Sequence, residues 1–195
     1  MKIIKYLIIV SIPFFALIMS SFYYFVDKED ISEFIYAQTK SKVSFEKFGV
    51  SFYPILALKL SDIKYEDKES VKIYAKKLLI SFIFKGIESI NNPKIKALYL
   101  VEPEITVYKT ESSKEKKELI DINKIYLKDA KISYENHTVK DLNLAASLNQ
   151  SVLNIKKLDI KKYKGINGID IMGKIDLAKE DPQFDLTIFF GTSSI

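Results

Sequence analysis

IKALYLVEPEITVYK, residues 95–109, is followed twenty-seven residues later by INKIYLKDAKISYEN, residues 122–136. Ile95, Leu98, Tyr99, Leu100 and Ile105 fall on Ile122, Ile125, Tyr126, Leu127 and Ile132; Glu102 falls on Asp129 and Thr106 on Ser133. Leu98 and Leu100 alternate as residues on one face of a strand do. Ile105 and Val107 alternate with the opposite parity, so a straight strand would send the two pairs to opposite faces. The second copy has the same break, between Ile125 and Leu127 on one side and Ile132 and Tyr134 on the other. A bulge or bend within one strand would bring both pairs to one side. A tight turn at Glu102-Pro103 and Asp129-Ala130 would instead make two strands of each copy. Pro103 is compatible with either, because proline is confined to edges, bulges and turns. Fainter echoes occur at LALKLSDIKY (56–65) and IKKLDIKKY (155–163). Repetition at such spacings points to strand units added side by side, each with one apolar face.

The rest of the chain from Val43 onward has the same period of two. Val43, Phe45, Phe48, Val50 and Phe52 alternate with one slip near Lys47, and Leu56, Leu58 and Leu60 follow. Further runs are Leu142 to Leu148, Ile169 to Leu177 and Phe184 to Phe190. Each has the length of a half-buried antiparallel strand. Asn91-Asn92-Pro93, Glu135-Asn136-His137, Gly165-Ile166-Asn167-Gly168 and Glu180-Asp181-Pro182 supply turn signals between them. TESSKEKKE (110–118) has no apolar residue to bury and reads as a solvated loop. Residues 71–83 fit two patterns, an amphipathic helix or a strand with one slip, and periodicity leaves both open.

The 195 residues contain no cysteine, which excludes disulfides and thiolate metal sites. The net charge of +5 is carried by Lys alone. Arg is the usual residue for bidentate recognition of bases and phosphates, so its absence argues against a nucleic-acid binder. Residues 6–26 are uncharged and preceded by Lys2 and Lys5, and about 20 apolar residues suffice to cross a bilayer. The positive-inside rule then places residues 1–5 in the cytoplasm and the main domain outside it. A cleaved signal peptide competes, but bulky aromatics follow Ser20 and Ser21 directly. Residues 27–42 read as a short amphipathic helix, with Asp30 and Glu33 as a capping box and Ile31, Phe34 and Ile35 on one face.

Taken in order, these pieces resemble the N-terminal region of the AsmA family of bacterial envelope proteins. The likeness covers almost the whole chain: the anchor, the short helix ending at Thr39-Lys40, KVSFEKFGVSFYPILALKLSDIKYED (42–67), VKIYAKKLLISFIFKGIES (71–89), the doubled stretch, DLNLAASL (141–148) and KGINGIDIMGKIDL (164–177). Where the family usually has Gly after the Thr near position 39, this chain has Lys40. The resemblance implies a mainly β fold with an N-terminal transmembrane helix in the inner membrane. Residues 43–195 would then form a periplasmic, curved, repetitive antiparallel sheet, taco-like and groove-forming, with one or two short helices. It also implies a strand over 71–83 and a short helix over 84–90. The implied role is non-enzymatic: lipid binding in phospholipid transport and outer-membrane biogenesis. A structural or protein-interaction module in envelope assembly is the alternative. Relatives of the family are commonly several times longer, which leaves a truncated gene product as one reading. About nine strands at ~4.8 Å spacing would make a sheet roughly 45 Å long.

No catalytic, cofactor or metal site is expected. His137 is the single His, and a metal site needs several converging ligands. Gly165 and Gly168 flank a turn and lack the Lys-Ser/Thr of a phosphate loop. Lys161, Lys162 and Lys164 read either as a solvated edge strand or as a contact for anionic headgroups. The apolar faces read either as an ordinary closed core or as a groove for phospholipid. The groove reading selects Leu98, Leu100, Ile105, Val107, Ile125, Leu127, Ile132, Leu144, Ile171 and Ile175.

Overall fold

The two copies of the doubled stretch lie side by side as neighbouring strands, parallel and in register. Leu98 is opposite Ile125, Tyr99 opposite Tyr126, Leu100 opposite Leu127, Ile105 opposite Ile132 and Thr106 opposite Ser133. In a parallel ladder an offset of twenty-seven residues sets like on like along the whole length. An antiparallel ladder would match the copies at no more than one point.

This arrangement comes from a computed structural model that describes residues 27–39, 42–51, 56–67, 71–83, 94–108, 122–163, 165–178 and 182–191. The expected anchor at 6–26 and short helix at 84–90 lie outside those residues. No helix among the described residues is long and apolar enough to cross a membrane. The chain divides into two units, 1–42 and 43–195.

The first unit contains helix α1, Lys28–Thr39. Asp27 Oδ1 accepts the Asp30 N–H at 2.9 Å and Asp30 Oδ2 accepts the Asp27 N–H at 3.0 Å. This reciprocal capping box lies three residues earlier than the Asp30–Glu33 pair expected from the sequence. Asp suits the position because its short carboxylate reaches free N–H groups and favours the positive end of the helix dipole. Ile31 and Ile35, one turn apart, are both buried.

The second unit is one open, curved sheet. Its strands are β1 (Val43–Ser44), β2 (Lys47–Ser51), β3 (Ala57–Asp67), β4 (Val71–Ile83), β5 (Lys94–Val107), β6 (Ile122–Tyr134), β7 (His137–Asn149), β8 (Val152–Tyr163), β9 (Ile166–Asp176) and β10 (Gln183–Phe190). β1 and β2 both pair with β3, and β3 to β10 then follow in chain order. The slip near Lys47 is the gap between β1 and β2. Residues 71–83 are a strand. The expectation of antiparallel pairing holds everywhere except at β5–β6, the one parallel pair among the described strands.

The shared phase break is a kink inside a continuous strand. Glu102 and Asp129 have φ of 50° and 52°, the left-handed region. Such a residue shifts the alternation by one, so residues three apart come to the same face. Leu127 and Ile132, of opposite parity, accordingly both pack against the buried cluster of Ala130, Leu142, Ile160 and Ile169. Val139 with Leu144, and Leu158 with Tyr163, do so from β7 and β8. Asp62 in β3 (54°), Asp141 in β7 (53°) and Gly168 in β9 (68°) take the same conformation. Positive-φ residues therefore recur in β3, β5, β6, β7 and β9, while β4 and β8 pass between them without one. Pro103 beside Glu102 is fully buried there, and the kink accommodates its missing donor.

The kinks let one face stay apolar over strands of up to 14 residues. Phe48, Leu60, Leu78, Leu100, Leu127, Leu144, Leu158, Ile171 and Ile188 stand in direct register from β2 to β10. Eight strand spacings make that row roughly 38 Å long.

Left-handed Asp is tolerated because its short polar side chain bonds locally, whereas a β-branched residue there is strained. Asp129→Val should therefore destabilise the fold by about 1–3 kcal/mol, while Asp129→Gly should be near neutral, as read by urea unfolding. Equal losses in both variants would mean that the carboxylate, not the φ, is what the position needs.

Candidate functional site

All ten residues selected from the sequence as candidates for a lipid groove are half-buried. Leu100, Leu127, Leu144 and Ile171 belong to the row just described. Leu98 and Ile125 lie in the next row, opposite each other between Ile80 and Ala146. Ile105 and Ile132 lie beyond the kinks, again opposite each other. Val107 lies two residues past Ile105, between Val71 and Tyr134. Ile175 continues the alternation of Ile171 and stands between Leu153 and Phe184. Phe48, Leu60, Leu78, Leu158 and Ile188 complete the row and were not selected. Leu60 and Leu158 sit in the two faint echoes, which were the available signal. Leu78 was hidden by the helix-or-strand ambiguity of its segment.

Exposure along this face is graded. Leu60 is 0% exposed, whereas Ile188 is 48% and its strand neighbours Phe184 and Phe190 are 66% and 63%. Every residue of β10 is exposed. The described residues 43–191 form this single sheet and its turns, so the face has no second layer among them. Contiguous exposed apolar surface of this kind marks interaction sites.

The opposite face is charged. Lys76 Nζ reaches Glu102 at 3.0 Å, Lys131 reaches Glu104 at 3.3 Å, and Lys161 reaches Asp129 at 3.7 Å. These side chains are about half exposed, so each pair contributes little to stability. Their value is in marking the solvent side. Asp129 N–H also donates to Asn143 Oδ1 at 3.0 Å, which ties the kink of β6 to β7. The Lys161–Lys162 cluster is not on an edge strand: β8 lies between β7 and β9. Lys162 faces Lys140 directly across the ladder, a like-charge pairing that disfavours the sheet locally. Lys164 lies outside the described residues. His137 opens β7 opposite Tyr134. Among the described residues, no three His, Asp or Glu side chains gather as a metal site.

On this polar face Tyr99 and Tyr126 stack, with ring centroids 4.4 Å apart and planes at 15°. The parallel register causes it, since it sets the two tyrosines side by side on one face. Burial raises the Tyr99 phenol above its ordinary value of 10.0, and the charge and hydrogen bond of Tyr126 raise it further.

Comparison with protein-family models, curated proteins and solved structures finds no match to this chain. The site is therefore read from its own chemistry.

A phenol raised on folding keeps its proton longer in the native state than in the unfolded one. Its contribution to stability is complete below pH 10 and is lost as pH rises through the native value. Absorbance titration of the 12 tyrosines should show one phenol ionising after the main transition. Tyr126→Phe should move it only part of the way back, because desolvation, the largest cause, remains. A single uniform transition in the native protein would contradict the stacked, hydrogen-bonded pair.

Proposed function

We propose that the apolar face binds phospholipid acyl chains, in a membrane-anchored module of the bacterial periplasm that serves phospholipid transport and outer-membrane biogenesis. The observation that carries this reading is the unbroken row of Leu and Ile standing in register from β3 to β10. The row stays apolar across eight strands while its exposure rises toward β10. A lipid chain fits such a face because it needs no directional partner, and each methylene taken from water onto it gains about 0.8 kcal/mol. The likeness to the AsmA family supports the same role and supplies the compartment: residues 6–26 as inner-membrane anchor, the sheet in the periplasm. The reading calls for no cofactor, metal or catalytic group.

A protein-docking role has one observation in its favour. β10 is an edge strand, exposed throughout and apolar at Phe184, Leu186, Ile188, Phe189 and Phe190. An edge of that kind accepts an added strand from a partner.

The two readings separate in one experiment. The full chain is purified in mild detergent and its bound lipid extracted and quantified by mass spectrometry. Ile188→Lys, on the apolar face, should cut bound phospholipid about tenfold, whereas Thr187→Lys, the neighbour on the opposite face, should leave it unchanged. Protein without phospholipid, or equal losses from both substitutions, would sink the lipid reading. Recovery of a co-purifying protein lost with either substitution would favour strand addition instead.

A further inference from the structure

The Tyr99–Tyr126 stack leaves one ring face uncovered. Tyr99 lies against one side of the Tyr126 ring at 4.4 Å. The other side faces β7, where the residue in register is Ala145. One strand further, on β8, the residue in register with Ala145 is Lys157. Neighbouring strands are about 4.8 Å apart, so the row Tyr99, Tyr126, Ala145, Lys157 places an alanine where a third ring would continue the stack. A depression of ≈ 450 Å³ occupies that place, lined by Tyr126, Ala145, Lys157, Lys128, Asn143 and Asp159 among others.

The rim is polar and only partly engaged. Lys157 is held by Asp170 at 3.5 Å. Asn143 uses its Oδ1 to accept the Asp129 N–H, which leaves its amide nitrogen as a donor. The side chains of Asp159 and Lys128 have no hydrogen-bond or ion-pair partner among the described residues. Asp159 stands directly opposite Asn143, so an acceptor and a donor sit together at one end of the slot.

We infer that this slot binds one pyranose ring of a saccharide, stacked on Tyr126 over Ala145, with its hydroxyls held by Asp159, Asn143 and Lys128. A pyranose has an apolar C–H face that suits the negative face of a tyrosine ring. It also has a rim of hydroxyls that both donate and accept, as this mixed set of partners requires. A nucleotide could stack equally well but would bring phosphate. The slot is lined by Lys128, Lys157 and Asp159, Lys157 is already paired with Asp170, and the chain has no Arg for bidentate phosphate recognition, so the set suits hydroxyls better than a phosphate. The site lies on the polar face and is independent of the lipid reading.

The test uses the full chain in a detergent without a sugar headgroup, with saturation-transfer NMR on chito-tetraose, maltotetraose and adenosine monophosphate. At least one oligosaccharide should show transfer to its ring protons. Ala145→Leu, which fills the slot and leaves both tyrosines in place, should weaken that binding about tenfold or more. Asp159→Asn keeps the shape at a half-buried position and should weaken it by a smaller factor. Circular dichroism of both variants should match the parent. Absence of transfer from both oligosaccharides, or binding unmoved by either substitution, overturns the proposal. Transfer to the adenine protons alone overturns it in favour of a nucleobase.

Discussion

A single sheet of long strands can keep one face apolar only if its side-chain alternation survives its bends. In this protein the constraint falls on a few backbone torsions. Asp62, Glu102, Asp129 and Asp141 hold φ near 50°, each at the point where its strand changes phase. Without that shift, Ile105 and Ile132 would face the charged side, and Leu100 and Leu127 alone would remain on the apolar one. Acidic residues suit these positions for two reasons. Asp tolerates the left-handed region better than most residues, and at Glu102 and Asp129 the carboxylate meets a lysine on the polar face. Glu102 has the weaker claim on the first count and the shorter ion pair on the second, at 3.0 Å from Lys76.

Each strand also constrains its neighbour. Where two adjacent strands both kink, the kinks must coincide or be offset by a bulge, or the ladder loses hydrogen bonds. In β5 and β6 they coincide, with Glu102 beside Asp129 in the parallel ladder. Between β6 and β7 the line steps: the register passes from Leu127–Leu144 to Ala130–Leu142 to Ile132–Val139, with extra residues first on β6 and then on β7. The Asn143 side chain closes that step by accepting the Asp129 N–H. The parallel pairing of β5 and β6 is the simplest way to align two identical kinks. A copy laid parallel repeats both the kink and the rows beside it, so Tyr99 meets Tyr126 and Leu100 meets Leu127.

Much of this was legible in the sequence. The doubled stretch located the two strands, and the parity change at Glu102 and Asp129 located the kinks. The ten apolar residues chosen from alternation all lie half-buried in the sheet. What the sequence hid is what alternation does not encode. Period two carries no direction, so the parallel seam could not be told from an antiparallel one. Phase breaks cut each strand into short runs, so Leu56 to Leu60 read as a whole strand although β3 continues to Asp67. Lys161 and Lys162 read as an edge because Lys is common there. They are in fact an interior strand's polar face, with Lys161 paired to Asp129 across the sheet. The helix cap was displaced by three residues because Asp27 and Asp30 satisfy the same motif as Asp30 and Glu33.

The exposure gradient connects the fold to its proposed role. The same residue types form a row that is buried at Leu60 and about half exposed at Ile188. Hydrophobicity therefore does not distinguish the two ends; their position in the sheet does. A sheet with one apolar face requires cover for that face, from protein or from something else. Ion pairs on the opposite face cannot substitute, since half-exposed pairs contribute at most about 1 kcal/mol each. The stabilising area lies on the apolar side, and its most exposed portion is at β10. Acyl chains, or a strand added to β10, would supply cover at that end without altering the kinks that hold the face together.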